Sequence, residues 1–172
     1  MQVPPEPPGA APGSDTLGPM PRLTVTTVIA APVQRCFDLA RDIDLHLESL
    51  AHSGERAVAG RTSGLIGLGE EVTWRGRHFG VVQDFTSRIT AFDPPRHFRD
   101  EMVRGAFRSF VHDHRFAEAG GVTRMTDVVE FQAPWGRLGR LAEALFLSRY
   151  VRRLLVQRAS AIQRTAEGDR TS

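Results

Sequence analysis

The sequence contains no lysine and no asparagine, and all 22 of its basic residues are arginines. With plentiful alanine, glycine and proline, that bias matches the codon usage of a GC-rich bacterial genome. The pI of about 9.4 therefore reflects arginine chemistry, since the formal net charge is only +2. No dense basic run or nucleic-acid-binding motif accompanies the charge, so no nucleic-acid partner is expected. Cysteine is nearly absent. Cys36, the single one, excludes a disulfide framework within the chain and sits beside Phe37 in a helical pattern, as a small buried apolar residue would. No apolar run reaches the ~18 residues of a membrane-spanning helix, and the first residues lack the apolar stretch of a signal peptide. A cytoplasmic location is the expectation. Nucleophile elbows and P-loops are missing as well. GLIGLGE at 64–70 has glycines but not in the G-x-G-x-x-G order, and no βαβ unit surrounds it, so it reads as a loop and no cofactor is expected.

What is present fits one globular domain with tails. Residues 1–21 hold seven of the 11 prolines and few large apolar groups, so a disordered segment is expected there, with Met20 as a second candidate start. Residues 22–166 carry the patterned sequence, and the polar stretch 167–172 is expected to be disordered. RLTVTTVIA from Arg22 reads as a strand. Pro32 suits the first turn of a helix whose apolar face is Val33, Phe37 and Ala40, and IDLHLESLA from Ile43 reads as a second short helix. A long β region follows: ERAVAG, GEEVTWRGRH, GVVQDFTSRITAF, HFRDEMVR, AFRSFVHDHRFAEA and VTRMTDVVEFQA. After Pro134 the pattern turns helical, from near Gly136 to Arg164. Its wide apolar face includes Leu138, Leu141, Leu145, Leu147, Val151, Leu154, Leu155 and Ile162, with Arg149, Arg152 and Arg153 towards solvent.

This order, with HLESLAHSGERAVAGRTSG, GEEVTWRGRHFG, FDPPRHFRDEMVRGAF, FVHDHRF and PWGRLGRLAEALFLSRYVRRLL in register, resembles the START/Bet v 1-like superfamily. Within it, the chain is similar to the polyketide cyclase/dehydrase-like (SRPBCC) ligand-binding domains. The resemblance implies an α+β helix-grip fold: a curved antiparallel sheet of about seven strands around a long C-terminal helix, with two short helices after the first strand. It also implies a cavity between sheet and helix. The fold hosts carriers, receptors, cyclases and regulators alike, so the chemistry must come from the site.

The stretch most suggestive of a site is FVHDHRF. Strand alternation places Phe110, His112, His114 and Phe116 on one face, expected to be the helix-facing one, and Val111, Asp113 and Arg115 on the solvent side. HDHRFAE matches the H-x-H-x-x-x-E spacing of a cupin metal motif, but no histidine follows His114, a long helix ends the chain, and Glu118 beside the GG turn reads as exposed. Two imidazoles supply only half of a four-ligand shell, so no metal is expected. Trp74 and His78 share a face with Val72 and Gly76, while Glu71, Arg75 and Arg77 take the other. Thr123, Met125, Asp127, Val129 and Phe131 share a face of the last strand, where Asp127 would need a His or Arg partner. His46 and Ser49, three apart on the second helix, would close the cavity mouth; His52 and His97 read as surface loop residues. The candidate ligand-binding set is therefore His46, Trp74, His78, Phe110, His112, His114, Phe116, Met125, Asp127 and Phe131. The favoured function is binding of a small, largely hydrophobic molecule. The alternatives are a polyketide cyclase/dehydratase-like enzyme with His112 or His114 as general base paired to Asp127, and a regulatory module that binds a protein.

Overall fold

The computed structural model describes residues 21–51, 54–78, 80–132 and 146–168. Residues 1–20 and 169–172 of the expected tails, His52 and the helix start over 136–145 lie outside the described residues; Glu167 and Gly168, expected in the C-terminal tail, instead end the last helix, where Glu167 accepts from the Ala30 N–H. Seven strands form one antiparallel sheet in the order β1-β7-β6-β5-β4-β3-β2. They are β1 (Arg22–Ile29), β2 (Arg56–Gly60), β3 (Glu71–His78), β4 (Val81–Asp93), β5 (His97–Arg104), β6 (Ser109–Ala119) and β7 (Val122–Gln132). Two short helices, α1 (Val33–Ala40) and α2 (Ile43–Ser49), connect β1 to β2, and the long helix α3 (Ser148–Gly168) ends the described chain. This is the helix-grip architecture.

Local sequence explains each end. Asp42 caps α2, its Oδ1 accepting from the backbone N–H groups of Asp44 (2.8 Å) and Leu45 (3.2 Å). Pro32 has no side-chain donor or acceptor for α1; instead Glu118 Oε2, at the tip of β6, accepts from the Val33 N–H at 2.8 Å. Glu118 is thus exposed, as expected, but occupied. Irregular register between Thr86 and Ser87 and between Ile89 and Ala91 interrupts the β4–β5 ladder, as bulges do where a sheet bends.

Two apolar clusters hold the layers together. Phe37 of α1 meets Phe92, Phe98 and Phe116 edge-on, each at 5.5 Å between centroids. Burying such a ring contributes roughly 1.5–3 kcal/mol. Along α3, Val151, Leu155, Ala159, Ile162 and Ala166 recur at helical spacing and are buried, while Arg149, Arg152 and Arg153 are exposed. Val151 and Leu155 pack with Val25, Val129 and Phe131 of the sheet.

The outer face of β6 differs from expectation. Asp113 is buried rather than solvated, because Arg99 binds it in a fork (3.0 and 2.9 Å) and His97 Nε2 lies 2.7 Å away. His97 is accordingly not a loop residue but the first residue of β5. Cross-strand neighbours cover a charge that alternation alone assigns to water.

Candidate functional site

Between α3 and the inner face of the sheet lies a cavity of about 740 Å³. Val72, Trp74, Phe85, Ile89 and Phe110 wall it from the sheet, Ile43 and Leu50 from the α2 side, and Val151, Leu154 and Leu155 of α3, with Leu147 just before it, from the helix side. Polar side chains converge at restricted points: His46, Glu55, His78, Asp100, His112, Tyr150 and Arg158.

Of the sequence-derived candidates, His46, Trp74, His78, Phe110 and His112 line this cavity. His114, Phe116, Met125, Asp127 and Phe131 share the inner face but are buried beyond it. Alternation fixes the face of a side chain, not its position along the strand. Phe116 and Met125 lie in the cluster with Phe37 of α1, and Phe131 under Val151 and Leu155 of α3. His114 stacks on Phe98, ring centroids 4.1 Å apart. Ser49 turns back to donate to His46 O (2.7 Å) and is not part of the lining.

The two histidines of β6 belong to a buried quartet set by strand register. Asp100 pairs across β5–β6 with His112, and Asp127 across β6–β7 with His114. His112 Nε2 lies 3.0 Å from Asp127 Oδ1, and His114 Nε2 lies 3.1 Å from Asp100 Oδ2. Two closer-than-4 Å contacts complete the ring: His114 Nδ1 to Asp127 Oδ1 at 2.8 Å and His112 Nδ1 to Asp100 Oδ2 at 3.7 Å. The 2.8 Å contact is short but off the hydrogen-bonding line, leaving His114 Nδ1 without a hydrogen bond. Asp100, His112 and His114 each offer a ligand atom within 4.8 Å of the others, an arrangement able to hold a metal ion.

Burial opposes charge throughout the quartet; the partners outweigh it at Asp100, Asp127 and His114, and burial prevails at His112. For Asp127, burial raises the pKa, but the hydrogen bond from His112 and the close approach of His114 outweigh it and hold the carboxyl well below its usual range. Asp100 is depressed in the same way, against burial, by His114, His112 and Arg158. His112 is pushed down by burial and by the charge of His114. His114 goes up despite burial, because it lies between Asp100 and Asp127. The two imidazoles are thus shifted in opposite directions, His112 towards its neutral form and His114 towards its protonated one.

A second polar group lies against Trp74. His46 stacks on the indole at 4.1 Å, with Nε2 3.5 Å from Glu55 Oε2. Both ring nitrogens of His46 and Glu55 Oε2 are buried without a hydrogen-bond partner. Burial, then the charge of Arg158, lowers the pKa of His46. Nearby, His78 Nδ1 and the Tyr150 hydroxyl are 2.6 Å apart.

Sequence reasoning missed Asp100, Glu55, Tyr150 and Arg158. Two of these carried a signal. Asp100 alternates with Phe98 and Met102 on β5, the same pattern that singled out His112. Arg158 falls on the apolar stripe of α3 between Leu155 and Ile162, where a charge needs a reason. Glu55, just before β2, and Tyr150 carried none.

A family model described as "Polyketide cyclase / dehydrase and lipid transport" matches residues 20–167. No curated protein sequence matches the chain. Among solved structures it is similar to the Zhui aromatase/cyclase of Streptomyces sp. R1128, with 17% identity and a TM-score of 0.69 over 86% of this chain and 94% of that one. TTHA0849 of Thermus thermophilus shares 19% identity at a TM-score of 0.65, over 83% of this chain and 97% of that one. The major latex-like protein 151 of Panax ginseng shares 15% at 0.62, over 86% and 97%. At these identities the likeness is one of fold. Among the described residues, no helix is long and apolar enough to cross a membrane.

Proposed function

The chain belongs to the polyketide cyclase/dehydrase and lipid transport family, and on that premise we propose that its cavity binds a small, largely hydrophobic molecule bearing one hydrogen-bonding head group. The observation that carries this reading is the set of orphaned polar atoms at the Trp74 end. His46 Nδ1 is buried without a partner, and His46 Nε2 and Glu55 Oε2 meet only at 3.5 Å, short of a formed hydrogen bond, against the apolar Trp74 wall of the chamber. Leaving buried polar atoms unpaired costs about 1–3 kcal/mol each, and a head group with donor and acceptor would recover much of it. The apolar walls supply affinity, and the corner sets orientation.

The test is native mass spectrometry of protein expressed in its own host, followed by binding of the recovered molecule to His46→Phe and Glu55→Gln variants. Wild type should carry a bound molecule, and each variant should bind it about 1–3 kcal/mol more weakly. A cavity that returns no molecule, or variants with unchanged affinity, would sink the reading.

One observation favours a catalytic second reading. His112 faces the cavity and has a carboxylate 3.0 Å behind it, the base-and-orienter geometry of general base catalysis. The family description, which names cyclase and dehydrase, is in keeping with a substrate that reacts there. Turnover of the recovered molecule, lost in Asp127→Asn, would support the enzyme over the carrier.

A further inference from the structure

We propose that Asp100, His112 and His114 form a binding site for a first-row divalent metal ion that opens onto the cavity, with Asp127 orienting both imidazoles from behind. This inference rests on the quartet alone and does not depend on which molecule fills the cavity.

The geometry leads to it. A neutral imidazole has one N–H donor and one lone pair. If His112 donates from Nε2 to Asp127 Oδ1 (3.0 Å), its Nδ1 presents a lone pair towards Asp100 Oδ2 at 3.7 Å. His114 Nε2 meets the same Asp100 oxygen at 3.1 Å, in the hydrogen bond that ties the metal-free cluster together. A divalent cation would take the place of that Nε2 proton, which is released to solvent, and two imidazole nitrogens and one carboxylate oxygen would then converge on it.

The spacing suits one. Donors bound to a zinc-sized ion at about 2.0–2.1 Å in tetrahedral geometry lie about 3.3 Å apart. Two of the three separations, 3.1 and 3.7 Å, bracket that value, and all three ligand atoms lie within 4.8 Å of one another. Asp127 would fill the role that carboxylates commonly play behind metal-bound histidines, fixing tautomer and ring direction. All three donors project from paired strands, so backbone register holds them in place. Two nitrogens and one carboxylate oxygen favour zinc, iron(II) or cobalt(II) over calcium or magnesium. Three protein donors leave a coordination position, and His112 and Asp100 form part of the cavity wall there. An oxygen of the bound molecule would fill it.

The sequence argued against a metal because only two imidazoles were counted. Asp100 is the ligand that count omitted, brought opposite His112 by the β5–β6 register.

The experiment is cobalt(II) titration of tag-free protein stripped with a chelator, read by visible d–d absorption, with elemental analysis of protein from its host. Wild type should saturate at about one equivalent and release cobalt to zinc. Asp100→Asn and His114→Gln should lose the band, Asp127→Asn should weaken binding roughly 10–100-fold, and the outer-face variant His97→Gln should retain it. Circular dichroism identifies any variant that fails to fold, and wild type alone is then decisive. No stoichiometric uptake by wild type overturns the site. So does a band that persists in folded Asp100→Asn or vanishes in His97→Gln.

Discussion

On the outer face of β6 the carboxylate of Asp113 is gripped by Arg99 and His97; on the inner face its His112 and His114 meet the carboxylate of Asp127 from β7. Burial does not separate the two acids, since Asp113 is 7% exposed and Asp127 5%. Their partners do. A guanidinium keeps its proton at every accessible pH and carries five donors, so Asp113 is fully matched and has nothing left to offer. An imidazole can give up its proton or its lone pair, so the inner acid belongs to a group whose charge can be rearranged. One strand thus carries a structural ion pair on one side and a chemically adjustable cluster on the other.

The largest effect should come from breaking the inner side. Asp127→Ala removes the acceptor shared by both histidines and strands buried imidazole charge, and should lower unfolding stability by roughly 3–5 kcal/mol in urea. A loss no greater than that of the matching outer-face variant would erase the distinction between the faces. Next in size is a change in binding. His112→Gln keeps a donor for Asp127 but removes the imidazole from the cavity wall, and should weaken the cavity's ligand by about 1–3 kcal/mol in calorimetry. The outer substitution His97→Gln should leave that affinity unchanged. The smallest effect belongs to Asp113. Burial works to raise its pKa, but Arg99 and His97 prevail and depress it from 3.8 to about 2. A depressed carboxyl contributes its stability above the unfolded pKa and loses it as pH falls through the folded one, here from about pH 4 towards 2. With Arg99 more than one-third exposed, the contribution is about 1 kcal/mol. Asp113→Asn should forfeit that amount at neutral pH and flatten the acid limb of the stability curve.

The same two faces show what the sequence made legible. Element order, the inward set on β3, β6 and β7, and the solvent side of α3 followed from period and turn chemistry. The strand positions of His97 and Asp113, and the convergence of Asp100, did not follow. Each depends on which residue of one strand stands opposite which of the next, and single-strand alternation carries no register. The cavity boundary was equally hidden. Phe116 and Met125 share the periodicity of Phe110 and His112, and only the placement of α1 separates core from wall. Glu55 and Tyr150 reach the site through tertiary packing that leaves no local trace.

The described hydrogen bonds of α3 differ in kind along its length. Towards its C-terminal end Arg35 donates to the carbonyls of Thr165 (2.8 Å) and Ala166 (3.0 Å), and Glu167 accepts from the Ala30 N–H (2.9 Å). Arg158 donates to the Ala40 carbonyl a little further up. At the other end the His78–Tyr150 contact stands beside Phe146, which is 72% exposed. Near Tyr150, by contrast, the described bond joins two side chains that both line the chamber. A change at His78 or Tyr150 would therefore reach the bound molecule directly, whereas a change at Arg35 or Glu167 would reach it only through a displacement of the helix itself.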